Sequence, residues 1–237
     1  ENGQLMEKAS YSKGVLEDGP YESYYENGQI EKKFTKTNGE IDGPFERYHE
    51  NGQLEAKIIY KNNKREGFGI FYNERGNLKS RRSFKENILD GPYESYHENG
   101  VLKEKIFYKD GHVIDGPYSV YSKNGNLIET GHYKDGDKTG PYEKYYENGI
   151  LREKGFQSLL GIFRDGALER YYENGQLMAR SNWKSNLLNG YAESFYENGQ
   201  LREEGKFKEG KKEGLHIKYH ENGQIYDQRN YLNGEPL

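Results

Sequence analysis

The chain has 237 residues, 32% apolar and 31% charged, with a net charge of -4. Mean hydropathy is -1.18, and Leu, Ile, Val and Phe together make up only about a fifth of the chain, close to the disordered class. The 23 Tyr, the 30 Gly and the near balance of charge argue instead for a folded chain without a thick apolar interior. No run approaches the ~20 apolar residues of a membrane-spanning helix. A pI near 6.0 gives no basic footprint for duplex nucleic acid. The absence of Cys excludes disulfides, thiolate metal sites and thiol nucleophiles.

The chain opens at Glu1-Asn2-Gly3-Gln4, inside a motif that recurs later, so the natural N-terminus is expected upstream. A partial unit over 1–18 is followed by units starting at Gly19, Gly43, Gly67, Gly91, Gly116, Gly140, Gly166, Gly190 and Gly214, spaced 24 to 26 residues apart. The array covers 1–237 as one domain, and self-similarity at this period is the signature of a repeat architecture.

Each unit predicts a β-hairpin. Asn-Gly between aromatic and aliphatic runs is the strongest short-range hairpin signal. It stands at 27–28, 51–52, 99–100, 124–125, 148–149, 174–175, 198–199 and 222–223, and Arg75-Gly76 keeps only the Gly. A two-residue turn would pair Tyr25 with Ile30, whereas a three-residue loop pairs Tyr24 with Ile30. The second is favoured, because the Tyr24 position is aromatic in all nine units and the Ile30 position is always Leu or Ile. Six residues past that aliphatic come Tyr11, Tyr60, Phe84, Tyr108, Tyr133, Trp183, Phe207 and Tyr231, expected on the same face. The opposite face is expected to be mixed and wet, carrying Tyr25, His49, His97, Tyr146, Tyr172, Tyr196 and His220, with Tyr21, Tyr93, Tyr118 and Tyr142 nearby. The predicted fold is all-β: an elongated array of consecutive antiparallel hairpins of about 24 residues in a twisted single-layer meander.

Connections between units are aliphatic except at Asn63–Glu66, Asp137–Thr139 and Lys211–Glu213, every third unit. This spacing predicts that two connections in three bury and the third meets water. The irregular unit from Gly140 to Asp165 carries Leu159–Phe163, read as a bulge packed on the sheet or a lip for a partner.

The motif Gly-Pro-Tyr-Glu-Ser-Tyr-Tyr-Glu-Asn-Gly-Gln-Ile, Gly19 to Ile30, resembles the MORN repeat in its bacterial variant, as found in YwqK-type antitoxin-like proteins. The resemblance implies consecutive hairpins, and a protein-binding scaffold in an antitoxin or immunity role. It also implies a link to membrane phospholipids, but these strands carry fewer Gly than the eukaryotic pattern, and the residues give that link no support.

No catalytic residue, metal ligand set or cofactor site is predicted. His216 and His220 would be about 13 Å apart on a strand, and His49 and His97 about 19 Å apart across strands. Glu22, Glu46, Glu94, Glu143, Glu169 and Glu193 repeat with the array and are expected to pair with Lys or Arg across strands. The aromatic rows carry at least as many Glu as Lys, so single-stranded nucleic acid is not an expected partner. The expected activity is non-enzymatic protein binding, with a toxin as the partner to be occluded. The candidate contacts are Tyr25, His49, His97, Tyr146, Tyr172, Tyr196 and His220. The alternative is an envelope or surface scaffold for host ligands or phospholipid.

Overall fold

A computed structural model describes residues 5–158 and 165–237; the expectation placed on Leu159–Phe163 lies outside the described residues. The secondary structure described is antiparallel β-strand, in two compact units, 1–114 and 115–237. In the first, Glu7–Lys8 pairs with Gly19–Tyr24, and the strands Ile30–Thr37, Gly43–Tyr48, Leu54–Lys61, Lys64–Tyr72, Leu78–Lys85, Ile88–Tyr96 and Leu102–Lys109 follow in meander order. In the second, the order runs Gly116–Tyr121, Leu127–Lys134, Asp137–Tyr145, Leu151–Gln157, Gly166–Tyr171, Leu177–Lys184, Leu187–Phe195, Leu201–Lys208, Lys211–Tyr219 and Ile225–Leu232.

Two kinds of turn alternate. The Glu-Asn-Gly loop has three residues, as its sequence predicts: the Tyr25 N–H donates to the Gln29 carbonyl, the Gly28 N–H donates to the Tyr25 carbonyl, and Tyr24 faces Ile30. Only Gly28 has a positive φ there, 81°. Asn27 acts through its side chain, accepting the Gln29 N–H at 2.9 Å. Among the described residues the connections between units are themselves two-residue hairpin turns with positive φ at both central positions, such as Asn38 at 52° and Gly39 at 80°, or Asn62 at 50° and Asn63 at 62°. This is the turn whose twist matches flanking strands.

The expected sharing of faces fails at one point. After each three-residue loop the second strand carries one extra residue: Tyr24 faces Ile30 but Ser23 faces Lys32, leaving Glu31 unpaired. Such a bulge reverses the alternation of side chains beyond it. The aromatic six residues past the Leu therefore leaves the Tyr24 face and meets the third residue of the unit. Phe45 and Tyr60 have ring centroids 5.3 Å apart, Tyr93 and Tyr108 5.8 Å, and Tyr118 and Tyr133 5.1 Å. Tyr21, Tyr93, Tyr118 and Tyr142, expected on a wet face, belong to the most buried row, and Tyr118 is 2% exposed. The row is mainly apolar in the first unit, with Phe34, Ile58, Phe84 and Ile106 buried. In the second it reads Tyr118, Gly131, Tyr142, Gly155, Leu168, Ser181, Ala192, Gly205, His216, and several of these glycines lie in strands rather than turns.

The expected division of the connections is not seen: Asn63, Lys64 and Lys211 are exposed, but so are Val15, Ile88 and Leu187, and Asp137, Lys138 and Thr139 are half-buried, as are Leu16, Leu89 and Leu188. Arg65, Lys138 and Lys212 take the place of an aliphatic side chain by laying their charged ends over the rings of Phe84, Tyr118 and Tyr231 at 4.5, 4.0 and 5.2 Å. A long cationic stem covers apolar surface as an aliphatic does while its head finds a ring.

A methyl group at Gly131 would lie 2.8–2.9 Å from the Tyr118 ring and hydroxyl. Gly131→Ala is therefore expected to destabilise the protein by about 1–3 kcal/mol, measured by urea unfolding. The same substitution should cost less in a Tyr118→Ala background, where the obstructing ring is gone.

Candidate functional site

The seven candidate residues occupy one register, the position immediately before the three-residue loop. Most of them act between neighbouring hairpins. The Tyr25 hydroxyl donates to the Tyr48 carbonyl at 2.7 Å, Tyr146 to Tyr171 at 2.7 Å, Tyr172 to Phe195 at 2.8 Å and Tyr196 to Tyr219 at 2.8 Å. His49 Nε2 lies 3.3 Å from the Tyr72 carbonyl. His97 closes its own loop through the backbone, donating to the Val101 carbonyl. His220 is exposed, with its ring 4.7 Å from that of Tyr226. A second rung runs beside the first: Asn27, Asn51, Asn174 and Asn198 donate from Nδ2 to the carbonyls of Glu50, Glu74, Glu197 and Glu221. Within each compact unit the rim is thus a ladder that ties neighbouring hairpins together. Its Tyr rings are half-buried, with their hydroxyls already engaged.

Most of the periodic carboxylates pair as expected, while Glu143 accepts from the Tyr145 hydroxyl. Glu46 meets Lys57 at 2.8 Å, Glu94 meets Lys105 at 3.2 Å, Glu169 meets Lys154 at 2.9 Å, and Glu193 meets Arg180. Tyr24, Tyr48 and Tyr96 each donate to the Glu two residues earlier at 2.7 Å. Burial first, and then the Glu46 carboxylate, push the Tyr48 phenol up to about 12. On the buried face of the second unit, Tyr118 donates to Glu129 at 2.8 Å with Lys138 at 3.2 Å. Tyr142 donates to Glu153 at 2.8 Å with Arg170 at 2.9 Å. Burial alone would raise both carboxyls, but the phenol and the cation outweigh it and hold them below the ordinary carboxylate range. His216 is buried and His220 is not, so the pair shares no site. Among the described residues no three His, Asp or Glu are placed to hold a metal ion.

One row escaped the sequence reading. The residue after each unit-opening Gly is Pro20, Pro44, Phe68, Pro92, Pro117, Pro141, Ala167, Tyr191 or Leu215, non-polar or aromatic nine times in nine. Most are exposed, Phe68 by 60%. Cross-strand partners extend the row: Ile59 faces Pro44 and Phe107 faces Pro92 in the first unit, and Phe156 faces Pro141 in the second. Ile59, Phe107 and Phe156 are exposed as well. In the other units the partner is polar, Thr35, Ser83, His132, Asn182, Lys206 or Asn230; exposed apolar side chains recurring at one position make the row a candidate interaction site. The available signal was the invariance of an apolar residue one place from a strand alternation already assigned to the other face.

Two measurements test these assignments. Tyr172→Phe removes one rung and is expected to lower stability by about 1 kcal/mol, read by urea unfolding, while retaining the ring. For Glu129 and Glu153, a folded-state pKa below the unfolded one means that the stabilisation is complete above about pH 4.3 and is lost as pH falls through the folded value. The thermal midpoint should therefore drop below about pH 4.5. Glu153→Gln should start lower and lose less over the same range.

Comparison with known proteins bears on the fold and on the family. No match was found among curated proteins. Solved structures with detectable similarity include TcdB2-TccC3-TEV, at 13% identity over 94% of this chain with a TM-score of 0.20, and TcdB2-TccC3-Cdc42, at 12% over 95% with a TM-score of 0.17. This chain spans 15% and 18% of theirs, and such scores are too low to carry any inference. The model of the MORN repeat variant matches residues 17–35, 41–62, 89–110, 114–135, 138–157, 164–185, 188–209 and 212–233. It skips the unit opened by Gly67, where Asn-Gly has become Arg75-Gly76. With matches over most of its length, the chain belongs to the MORN repeat variant family, whose repeats suggest a scaffold for protein binding or membrane association.

Proposed function

We propose that this protein is a non-enzymatic scaffold that binds another protein through its repeats, in an antitoxin or immunity role that occludes a partner toxin. The observation that carries the binding reading is the exposed apolar row, Pro44, Ile59, Phe68 and Phe107 in the first unit and Pro141, Phe156, Tyr191 and Leu215 in the second. Leaving such side chains in water has an energetic cost of about 25 cal/mol per Å², which a partner would remove. Rigid backing favours the same reading: neighbouring hairpins are tied at both rims, and a preorganised surface loses little entropy on binding. The rim residues Tyr25, His49, His97, Tyr146, Tyr172, Tyr196 and His220 enter as a second contact, offering ring faces whose positions are already fixed. The toxin assignment rests on the family resemblance. The alternative is an envelope scaffold that uses the apolar row against phospholipid, and membrane association in the family favours it.

The test is retention of partners from an extract of the source cells, identified by mass spectrometry. Wild type is compared with a Phe156→Ser, Tyr191→Ser, Leu215→Ser variant whose fold is verified by its thermal transition. At least a tenfold loss of a specific protein partner is expected, and that partner, expressed alone, should arrest growth unless the wild-type chain is present. Unchanged retention would remove the apolar row from the reading. Sedimentation with anionic phospholipid vesicles, retained by wild type and lost in the variant, would favour the envelope alternative.

A further inference from the structure

We infer that Asn124 is a site of spontaneous deamidation, because its loop, alone among the Asn-Gly loops described, leaves the asparagine amide unclamped. An Asn-Gly pair loses its side-chain amide when the glycine nitrogen attacks the asparagine Cγ, and asparagine is accordingly among the thermolabile residues. Each described three-residue loop except that of Arg75-Gly76 carries the pair, so the loops differ in how each holds its asparagine. Asn27, Asn51, Asn174 and Asn198 are gripped at both ends. Oδ1 accepts the N–H two residues on at 2.9–3.0 Å, and Nδ2 donates to a carbonyl of the next hairpin at 2.6–3.3 Å. At Asn99, Asn148 and Asn222 the Oδ1 bond is kept, at 3.2, 2.9 and 3.0 Å.

Asn124 has neither grip. Among the described residues no N–H donates to its Oδ1, and its Nδ2 meets only the Glu147 carboxylate, at 3.5 Å. The cause is Asn126, in the position held elsewhere by Gln29, Gln53, Gln176 and Gln200. Its Nδ2 takes the Glu147 carbonyl at 2.6 Å, the acceptor that corresponds to the Glu50 carbonyl for Asn27. Ser122 stands where most loops have Tyr or His, and its hydroxyl accepts the Asn124 N–H of its own loop at 3.3 Å. The nucleophile is held alike throughout: the Gly125 N–H donates to the Ser122 carbonyl at 3.0 Å, and the glycines of the other Asn-Gly loops donate at 2.8–2.9 Å. The difference therefore lies at the carbon attacked. Each hydrogen bond that must break before the amide can turn holds the reactive rotamer back by about fivefold. Asn124 is exposed, so water has access. The deprotonated Gly125 nitrogen bonds to Cγ, the Cγ–Nδ2 bond breaks, and Nδ2 takes up a proton and leaves as ammonia. Water then opens the five-membered imide to aspartate or isoaspartate, with nothing oxidised or reduced. The product places a second carboxylate beside that of Glu147, at one defined step of the rim. The site goes beyond the scaffold reading and does not require it.

Asn174 and Asn198 serve as comparators within the same molecule. The Asn-Gly pairs at 38–39 and 233–234 lie in two-residue turns with the Asn itself at positive φ, a different backbone, and are left out of the comparison. Folded wild-type protein is aged in mildly alkaline buffer and digested, and conversion of each asparagine to aspartate or isoaspartate is followed by mass spectrometry. Conversion at Asn124 is expected at least five times faster than at Asn174 or Asn198, and faster at higher pH, as the glycine nitrogen gives up its proton. In urea-unfolded protein the three positions should react within about twofold of one another, because the grips of the folded loops are gone. Asn126→Gln restores the common residue, releases the Glu147 carbonyl to Asn124, and should bring position 124 down to the rate of Asn174. The comparison of folded with unfolded protein serves alone should Asn126→Gln fail to fold. Equal rates at the three positions in folded protein, a lead at 124 that persists after unfolding, or a lead that survives Asn126→Gln would overturn the inference.

Discussion

Each hairpin places one unpaired residue directly after its three-residue loop, and the side-chain arrangement follows from that insertion. Strand alternation has a period of two, so a single extra residue exchanges faces for everything beyond it. Without the bulge, the aromatic six residues past the Leu would extend the Tyr24 row, and the third residue of the unit would have no cross-strand ring. With it, the two aromatics meet on one face and make the buried row, while the Tyr-Glu-Lys chain and the exposed apolar row share the other. The bulge is reproduced at Glu55, Lys79, Lys103, Ile128, Arg152, Met178, Arg202 and Tyr226. These side chains have little in common, as expected of a position defined by backbone geometry rather than by packing.

That indifference explains what the amino-acid sequence disclosed and what it concealed. The period, the hairpins, the loop length and the pairing of Tyr24 with Ile30 were legible because each rests on a residue type with a physical preference, Gly for positive φ or aromatic against aliphatic across strands. The face reversal was not legible, since no residue type marks the unpaired position. The two-residue turns between units were hidden only in part: Asn62-Asn63, Glu86-Asn87 and Ser185-Asn186 hold left-handed backbone without the glycine that would announce it, whereas Asn38-Gly39, Asp110-Gly111 and Asp135-Gly136 carry the signal openly. Of the candidate site, the register was readable from recurring Tyr and His; that their polar atoms are directed at the next hairpin was not, since this depends on the distance between neighbouring loops.

A sheet with so few aliphatic residues also needs cohesion from another source. Here it comes from polar atoms aimed across the repeat. At one rim, Tyr hydroxyls and Asn amides bond the carbonyls of the next loop. At the other, Asp18 accepts the N–H groups of Asn38 and Gly39, Asp115 that of Asp135, and Asp165 that of Ser185. Each bond contributes on the order of 1 kcal/mol, modest singly but repeated at every step. This is the nearest-neighbour energetics of a repeat protein, and it accounts for a chain that is hydrophilic on average and ordered nonetheless.

Because the rims and the bulges fix the backbone, the buried row is free to vary in chemistry from hairpin to hairpin. The first unit fills it with Phe and Ile, and the second with Tyr hydroxyls on Glu and with Lys and Arg stems. A large side chain can then be omitted without collapse of the strand that carried it, since a cavity closes only where neighbours can move into it. At Gly69 the neighbours do so, because Phe71 two residues along the strand reaches the gap. At Ala192 the corresponding residue is Ser194, too short to reach, and the place over Gly205 is taken instead by the His216 ring from the next strand. In an array of this kind a large side chain can be lost from the regular pattern because a ring from the same strand, as at Gly69, or from the next one, as at Gly205, takes its place.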